Sequence, residues 1–482
     1  MRERMREWED RARLAAATMR ERALGISTPT LRLGVTGLSR SGKTVFLAAL
    51  VHNLVHGGRL PLFAPYAEGR LAGAALAEQP DDDVPRFPYE AHVRALVDER
   101  VWPASTRRIA ELRVTIEYES ARILGRRLGP GRLHLDLVDY PGEWLLDLPL
   151  LNLDYAAWCA DALAEAARRP EAARPFHEAL GFAVPAAPAN DPDAEALAEA
   201  FATYLRTARA DPDALAALPP GRFLMPGDLE GSPALTFAPL RLPDGEPPQG
   251  SLWAMMERRY EAYKTHVVRP FFRDHFARLD RQVVLVDALA ALNGGPEALA
   301  ELRRALGQVL ACFRVGRLSF LGSLVDRRIE KILFCATKAD HIHHADHDRL
   351  EAILAHLVAE ARERAAFSGA EVDVAAMAAV RATREATVTR GGDTFRTIAG
   401  TPMKGERIDG RVFDGQTEIG LFPGDLPDDP SEVFSAPRDE YGVTTLRFRP
   451  GRVERTNSGL ALSLPHIRLD RVLQYLIGDR LA

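Results

Sequence analysis

The chain has 482 residues, 46% of them hydrophobic and 27% charged, with a formal net charge of −5. That length permits two or three domains around a substantial core, and so mild a charge supplies no argument for a nucleic-acid partner. No run of about twenty apolar residues exists to span a bilayer, the N-terminus lacks a signal sequence's apolar centre, and Cys159, Cys312 and Cys335 lie in apolar surroundings without metal-ligand spacing, which fits a reduced cytoplasmic setting.

Residues 1–28 read as a charged helix in which Met1, Met5, Trp8, Ala12, Ala15 and Met19 recur at three- and four-residue steps. The stripe needs a partner: the protein's own main domain, a dimer seam or a membrane surface. Its arginines alternate with glutamates, so peripheral membrane contact is not supported. The run Leu31–Thr36 is β-like and Val45–His56 helical, and between them Gly37-Leu38-Ser39-Arg40-Ser41-Gly42-Lys43-Thr44 fits the phosphate-binding pattern G-x-x-x-x-G-K-[ST] in full. Gly37 and Gly42 let the backbone turn so that N–H groups, including those of Ser39, Arg40, Ser41 and Val45, face phosphates at a helix N-terminus. Lys43 would bridge β- and γ-phosphates, and the Thr44 hydroxyl would enter a Mg²⁺ shell. A short insertion at 57–104 precedes a candidate first switch around Thr106, which would complete that shell when the γ-phosphate is present.

The run Leu133–Val138 ends at Asp139-Tyr140-Pro141-Gly142. At the carboxyl edge of a parallel strand Asp139 would hold Mg²⁺ through a water, and the N–H of Gly142 would contact the γ-phosphate. Alone, D-x-x-G is equally an ordinary strand exit. The next buried strand is Val283–Val286, so a helical insertion at 143–280 is expected. Its runs are Tyr155–Ala167, Asp193–Ala208 and Leu252–Leu279, broken by proline-rich Val184–Pro192 and Leu240–Gln249.

An α/β pattern then resumes: helix Pro296–Arg314, strand Lys331–Ala336, helix Asp346–Phe367 and strand Met377–Thr383. Thr337-Lys338-Ala339-Asp340 follows the second of these. The Asp340 carboxylate accepts from the ring N–H and exocyclic amine of guanine together, whereas adenine presents the opposite pattern. The Lys338 stem would cover the base, Thr337 would bond within the loop, and the backbone at Ala382 and Thr383 would face the guanine carbonyl oxygen. His341, His343, His344 and His347 offer four imidazoles to zinc, or form a neutral solvated loop before a helix capped at Asp346. Thr387–Pro450 reads as an irregular β appendage before a closing helix, Leu469–Leu481. Pro226-Gly227-Asp228-Leu229 and Pro423-Gly424-Asp425-Leu426 read as similar turns.

The fold class expected is α/β: a P-loop, G-domain-like, mainly parallel sheet with helices on both faces, formed by 29–142 and 281–386, with the helical module inserted and the β appendage at 387–482. The chain resembles the YcjX family, bacterial P-loop proteins related to the GTPases and associated with stress responses. Gly37 to Thr44, Trp102-Pro103-Ala104-Ser105-Thr106, Asp139-Tyr140-Pro141-Gly142-Glu143-Trp144 and Ala336-Thr337-Lys338-Ala339-Asp340-His341 carry the resemblance. It implies a G domain elaborated by helical insertions, binding of GTP or GDP, and self-association.

Glu143 stands where GTPases often carry a water-orienting glutamine. An ionised acid there is repelled by a γ-phosphate, so slow turnover is expected. Arg100, Arg107 or Arg108 would supply a positive charge in cis, or form ordinary surface ion pairs. Three readings stay open: a Mg²⁺-dependent regulatory GTPase acting on a protein effector, an interaction scaffold stabilised by guanine nucleotide, and an ATPase.

Overall fold

A computed structural model describes residues 28–37, 41–104, 108–121, 130–210, 219–223, 226, 229, 231–313, 329–360, 362–363, 369–390, 393–408, 410–437, 440–453 and 463–482. The expected N-terminal helix, Leu38 to Arg40, Ser105 to Arg107, the side chain of Cys312 and the centre of the first Pro-Gly-Asp-Leu turn lie outside them. Strands β1 (Thr30–Gly37), β2 (Leu71–Ala77), β3 (Ala110–Tyr118), β4 (Gly131–Asp139), β5 (Arg281–Val286), β6 (Lys331–Ala336) and β7 (Glu371–Ala376) form one sheet in the order β2-β3-β4-β1-β5-β6-β7. The five strands from β4 to β7 in that order pair in parallel, while β2, β3 and β4 pair antiparallel. Continuous apolar runs fit this arrangement, because β1, β5 and β6 are covered on both faces and buried along nearly their whole length.

The helix Lys43–Val55 is buried almost all round, with Phe46, Leu47, Leu50, Val51 and Leu54 in the main core. The closing helix, Leu469–Ile477, joins that same core. Its Leu469, Val472, Leu473, Leu476 and Ile477 make one apolar stripe at helical spacing. Asp470 Oδ2 accepts from Leu62 N–H at 2.9 Å, and Gln474 Oε1 from Ala64 N–H at 2.9 Å. The C-terminal helix is thus an integral layer of the sheet's core.

The segment 57–104 contributes β2, which forms the sheet's edge. One expectation needs correction. The last parallel strand is Glu371–Ala376, so the apolar stretch from Met377 is a buried turn. Met377 N–H extends the pairing to Ala336 O at 2.8 Å, and Ala378 then bridges to Ile467. An apolar run alone does not distinguish a buried turn from a strand. Beyond β7, β8 (Arg384–Arg390), β9 (Asp393–Gly400) and β12 (Ile419–Leu421) form a three-stranded antiparallel sheet, and β10 (Arg407–Ile408) and β11 (Arg411–Val412) a two-stranded one.

By its contacts the chain divides into two units. The sheet unit takes the described residues of 28–141, Leu279–Leu299 and 329–482; the other takes Gly142–Arg278 and the stretch beginning at Ala300. The second unit is helical, with Tyr155–Ala167, Pro170–Phe182, Asp191–Ala210 and Leu252–Tyr263, the last continued by the π-helical turn Lys264–Val268. Asp154 and Ser251 cap two of these by accepting from Ala157 N–H at 2.8 Å and Ala254 N–H at 3.2 Å. Their apolar faces meet around Trp158, which stacks on Tyr260 at 5.0 Å and meets Phe201 and Phe237 edge-on.

Candidate functional site

Parallel strands bring their carboxyl ends to one edge, and three of the sequence segments leave the sheet there. Gly37 of β1 pairs with Leu285 of β5, Val286 with Ala336 of β6, and Ala336 with Ala376 of β7, while Asp139 lies opposite Val35. Ligands bind at such an edge of an open α/β sheet. A cavity of about 630 Å³ opens at this edge, lined by Ser41 to Val45 on one side and by Thr337, Lys338, Asp340 and His341 on the other.

The loop Gly37 to Thr44 depends on its glycines. A Cβ on Gly37 would lie 2.3 Å from Ser41 Oγ and 2.4 Å from the carbonyl oxygen of Leu285, and Gly42 has φ of 87°, in the left-handed region. Gly42 caps the helix, and its carbonyl accepts from Phe46 N–H at 2.9 Å. Lys43 folds back towards β1, its Nζ donating to Gly37 O at 2.7 Å; the Thr44 hydroxyl points at Ala104 O, 3.5 Å away. Asp139 is 1% exposed and Thr44 buried. A carboxylate and a hydroxyl are the hard oxygen donors that suit Mg²⁺. Thr106, the third expected oxygen, lies outside the described residues, as do Ser39, Arg40 and Arg107.

At the other side of the cavity, Asp340 is 4% exposed. Its Oδ2 accepts from Ala382 N–H at 2.8 Å, and its carbonyl accepts from the Thr383 hydroxyl. The Ala382 amide, expected to face a base, therefore braces the acid instead. A carboxylate has lone pairs to spare, so this bond orients Asp340 without saturating it. Lys338 adopts φ of 62° and pairs with Asp287, a residue sequence reading did not single out although it directly follows β5. Thr337 donates through its hydroxyl to Val286 O at 3.3 Å.

The histidines separate. His341 and His347 are held down in pKa chiefly by burial, and His347 Nε2 lies 2.9 Å from Ala339 O. Only His343 and His344 come together among the four, joined by Glu385, with His344 Nδ1 2.9 Å from its Oε2.

Gly142 and Glu143 begin the helical unit, in the 3₁₀ segment Gly142–Asn152. Glu143 is buried and forms an ion pair with Arg209. Sequence reading also missed a wall of the cavity: Trp102, Met403, Arg447 and Phe448 line it. Trp102 falls in a stretch already singled out, whereas the other three carry no local pattern.

The sequence matches the profile of the YcjX-like family, DUF463, over residues 31–481. The chain belongs to that family. Among YcjX-like relatives, "Ras-like GTPase YcjX" of Escherichia coli (strain K12) is 37% identical over 470 residues, covering 94% of this chain and 96% of its own length. "Ras-like GTPase YcjX" of Shewanella oneidensis is 34% identical over 476 residues, with 94% of each covered. This YcjX-like chain has a mixed α/β fold with a mostly parallel central sheet. Among its described residues no helix is long and apolar enough to cross a membrane.

Proposed function

We propose that this chain is a P-loop guanine-nucleotide-binding protein that hydrolyses GTP slowly and acts as a nucleotide-controlled switch. The observation that carries the reading is the pairing, on one cavity, of the Gly42-Lys43-Thr44 cradle with a buried, backbone-braced Asp340. The cradle offers N–H groups, a helix N-terminus and Lys43 to phosphates, while Asp340 accepts from the two donors that guanine has and adenine lacks. The name Ras-like GTPase carried by both relatives supports it.

Thr44 and Asp139 are the described residues that would hold Mg²⁺, which when bound supplies charge neutralisation for the phosphates. Lys43 would exchange its bond to Gly37 O for phosphate oxygens, and Thr337 and Thr383 fix the loops that carry the base contact. Glu143, by its place directly after Gly142, would orient the attacking water, and its pairing with Arg209 is one reason to expect slow turnover.

Titration calorimetry with GDP and ADP in the presence of Mg²⁺ tests the base assignment. GDP should bind at least about a hundredfold more tightly than ADP, and Asp340→Asn should remove most of that preference. Equal affinity for both purines, or a preference untouched by the substitution, would sink the guanine assignment.

A further inference from the structure

The cavity wall formed by Met403, Arg447 and Phe448 comes from the C-terminal β region, far from Thr44 and the rest of the phosphate loop in sequence. Three sets of contacts hold it in place. The Trp102 indole N–H donates to Phe448 O at 2.7 Å, and Arg100 Nε donates to Pro450 O at 2.9 Å. Arg449 returns bonds to Glu99 O at 3.3 Å and Arg100 O at 3.5 Å while its backbone N–H donates to Thr401 O at 2.8 Å. Met403 N–H donates to Arg447 O at 2.7 Å, and Pro402 bridges to Phe448.

The two ends of this wall reach the two chemical halves of the site. Ala104, two residues beyond Trp102, presents its carbonyl to the Thr44 hydroxyl. Phe448 packs in a small core with Ala382, the residue that braces Asp340, and meets the ring of His341 edge-on at 5.7 Å. Gly400 makes room for it, since a Cβ there would lie 2.8 Å from Phe448 Cδ1. Thr44, Ala104, Trp102, Phe448, Ala382 and Asp340 thus form a series of contacts that runs from the phosphate half of the site to the base half.

We propose that Trp102 and Met403 are nucleotide-contact residues, held in place by the buried Phe448: the three form an apolar subsite for the nucleoside half of the ligand, through which the C-terminal β region governs how fast a guanine nucleotide leaves. The subsite rests on the function proposed above and adds to it an apolar surface next to the base-reading acid. Aromatic and thioether side chains cover a purine without selecting among bases, so Asp340 discriminates and the wall retains.

Release of fluorescently labelled GDP, chased with unlabelled GDP in a stopped-flow instrument, tests this on the full chain. Trp102→Phe, which removes the indole donor but keeps an apolar ring, and Phe448→Leu should each speed release about five- to tenfold, with the preference for GDP over ADP unchanged. Met403→Ala, on the wall but outside that series of contacts, should speed release as well, and it decides the matter if either other variant fails to fold. Release at the wild-type rate by folded variants would overturn the wall while leaving the guanine assignment intact. Absence of GDP binding by the wild type would overturn the assignment itself, and the wall with it.

Discussion

Asp147 in the helical unit is fully buried, accepting from the Tyr263 hydroxyl at 2.6 Å, Gly221 N–H at 2.7 Å and Arg222 N–H at 3.3 Å. Burial outweighs these donors and holds its carboxyl up at about 6, above the ordinary 3.8. Below the unfolded value both states carry the proton and the group costs nothing. As pH rises towards about 6 the unfolded chain ionises first, so stability falls, by up to about 3 kcal/mol for a shift of about two units. His341 and His347, lowered by burial, act in the opposite sense: the stability tied to their neutral forms is present above 6.5 and is lost as pH falls. Comparing variants removes that contribution. Asp147→Asn should flatten the loss of stability seen in urea melts between about pH 4 and 6.5 relative to wild type, and parallel profiles would show that the carboxyl ionises freely in the fold.

The element that begins with the glycine of D-x-x-G is the 3₁₀ segment Gly142–Asn152, and the helical unit grips it along its length. Glu143 pairs with Arg209, the Arg222 guanidinium lies 3.3 Å over the Trp144 ring, and Trp144 meets Phe271 edge-on at 5.4 Å. Gly221 is needed there, since a Cβ would come within 2.2 Å of Glu143 O. A carboxylate so paired must leave Arg209 before it can align water. Glu143→Gln removes the ion pair and the negative charge together, and single-turnover GTP hydrolysis should rise about tenfold, equivalent to about 1.4 kcal/mol. Rapid turnover by the wild type alone would contradict this account. The parallel strands β1, β4 and β6 were legible because each is a buried apolar run ending at a chemical pattern, whereas β7 was displaced onto the apolar turn that follows it. The edge strand β2, Leu-Ala-Gly-Ala-Ala-Leu-Ala, was not legible, because alanine and leucine carry no β preference and pairing with β3 decides its state. Met403 and Phe448 were hidden for a related reason: backbone hydrogen bonds to distant residues place them, and no local spacing reports those bonds.

At the scale of the whole molecule the chain passes from the sheet unit to the helical unit between Pro141 and Gly142 and returns between Arg278 and Leu279. Asp139, read as a Mg²⁺ residue, is therefore three residues from a segment that belongs to the other unit. The segment Gly142–Asn152 is fastened within the helical unit through Asp147, Trp144 and Glu143, so any rearrangement of it must be shared with their partners. A ligand shifts such an equilibrium only by its differential affinity for the two arrangements, and full conversion requires about 5.5 kcal/mol. Hydrogen exchange with GDP and with a non-hydrolysable GTP analogue, each at saturation, measures that difference directly. For a switch, amides of Gly142–Asn152 and of the segment around Gly221 should change protection together by about fivefold or more, equivalent to about 1 kcal/mol. Identical protection in the two states would mean that the γ-phosphate makes no differential contact. The nucleotide would then stabilise a scaffold, and the fastening of Gly142–Asn152 would serve the fold of the helical unit alone.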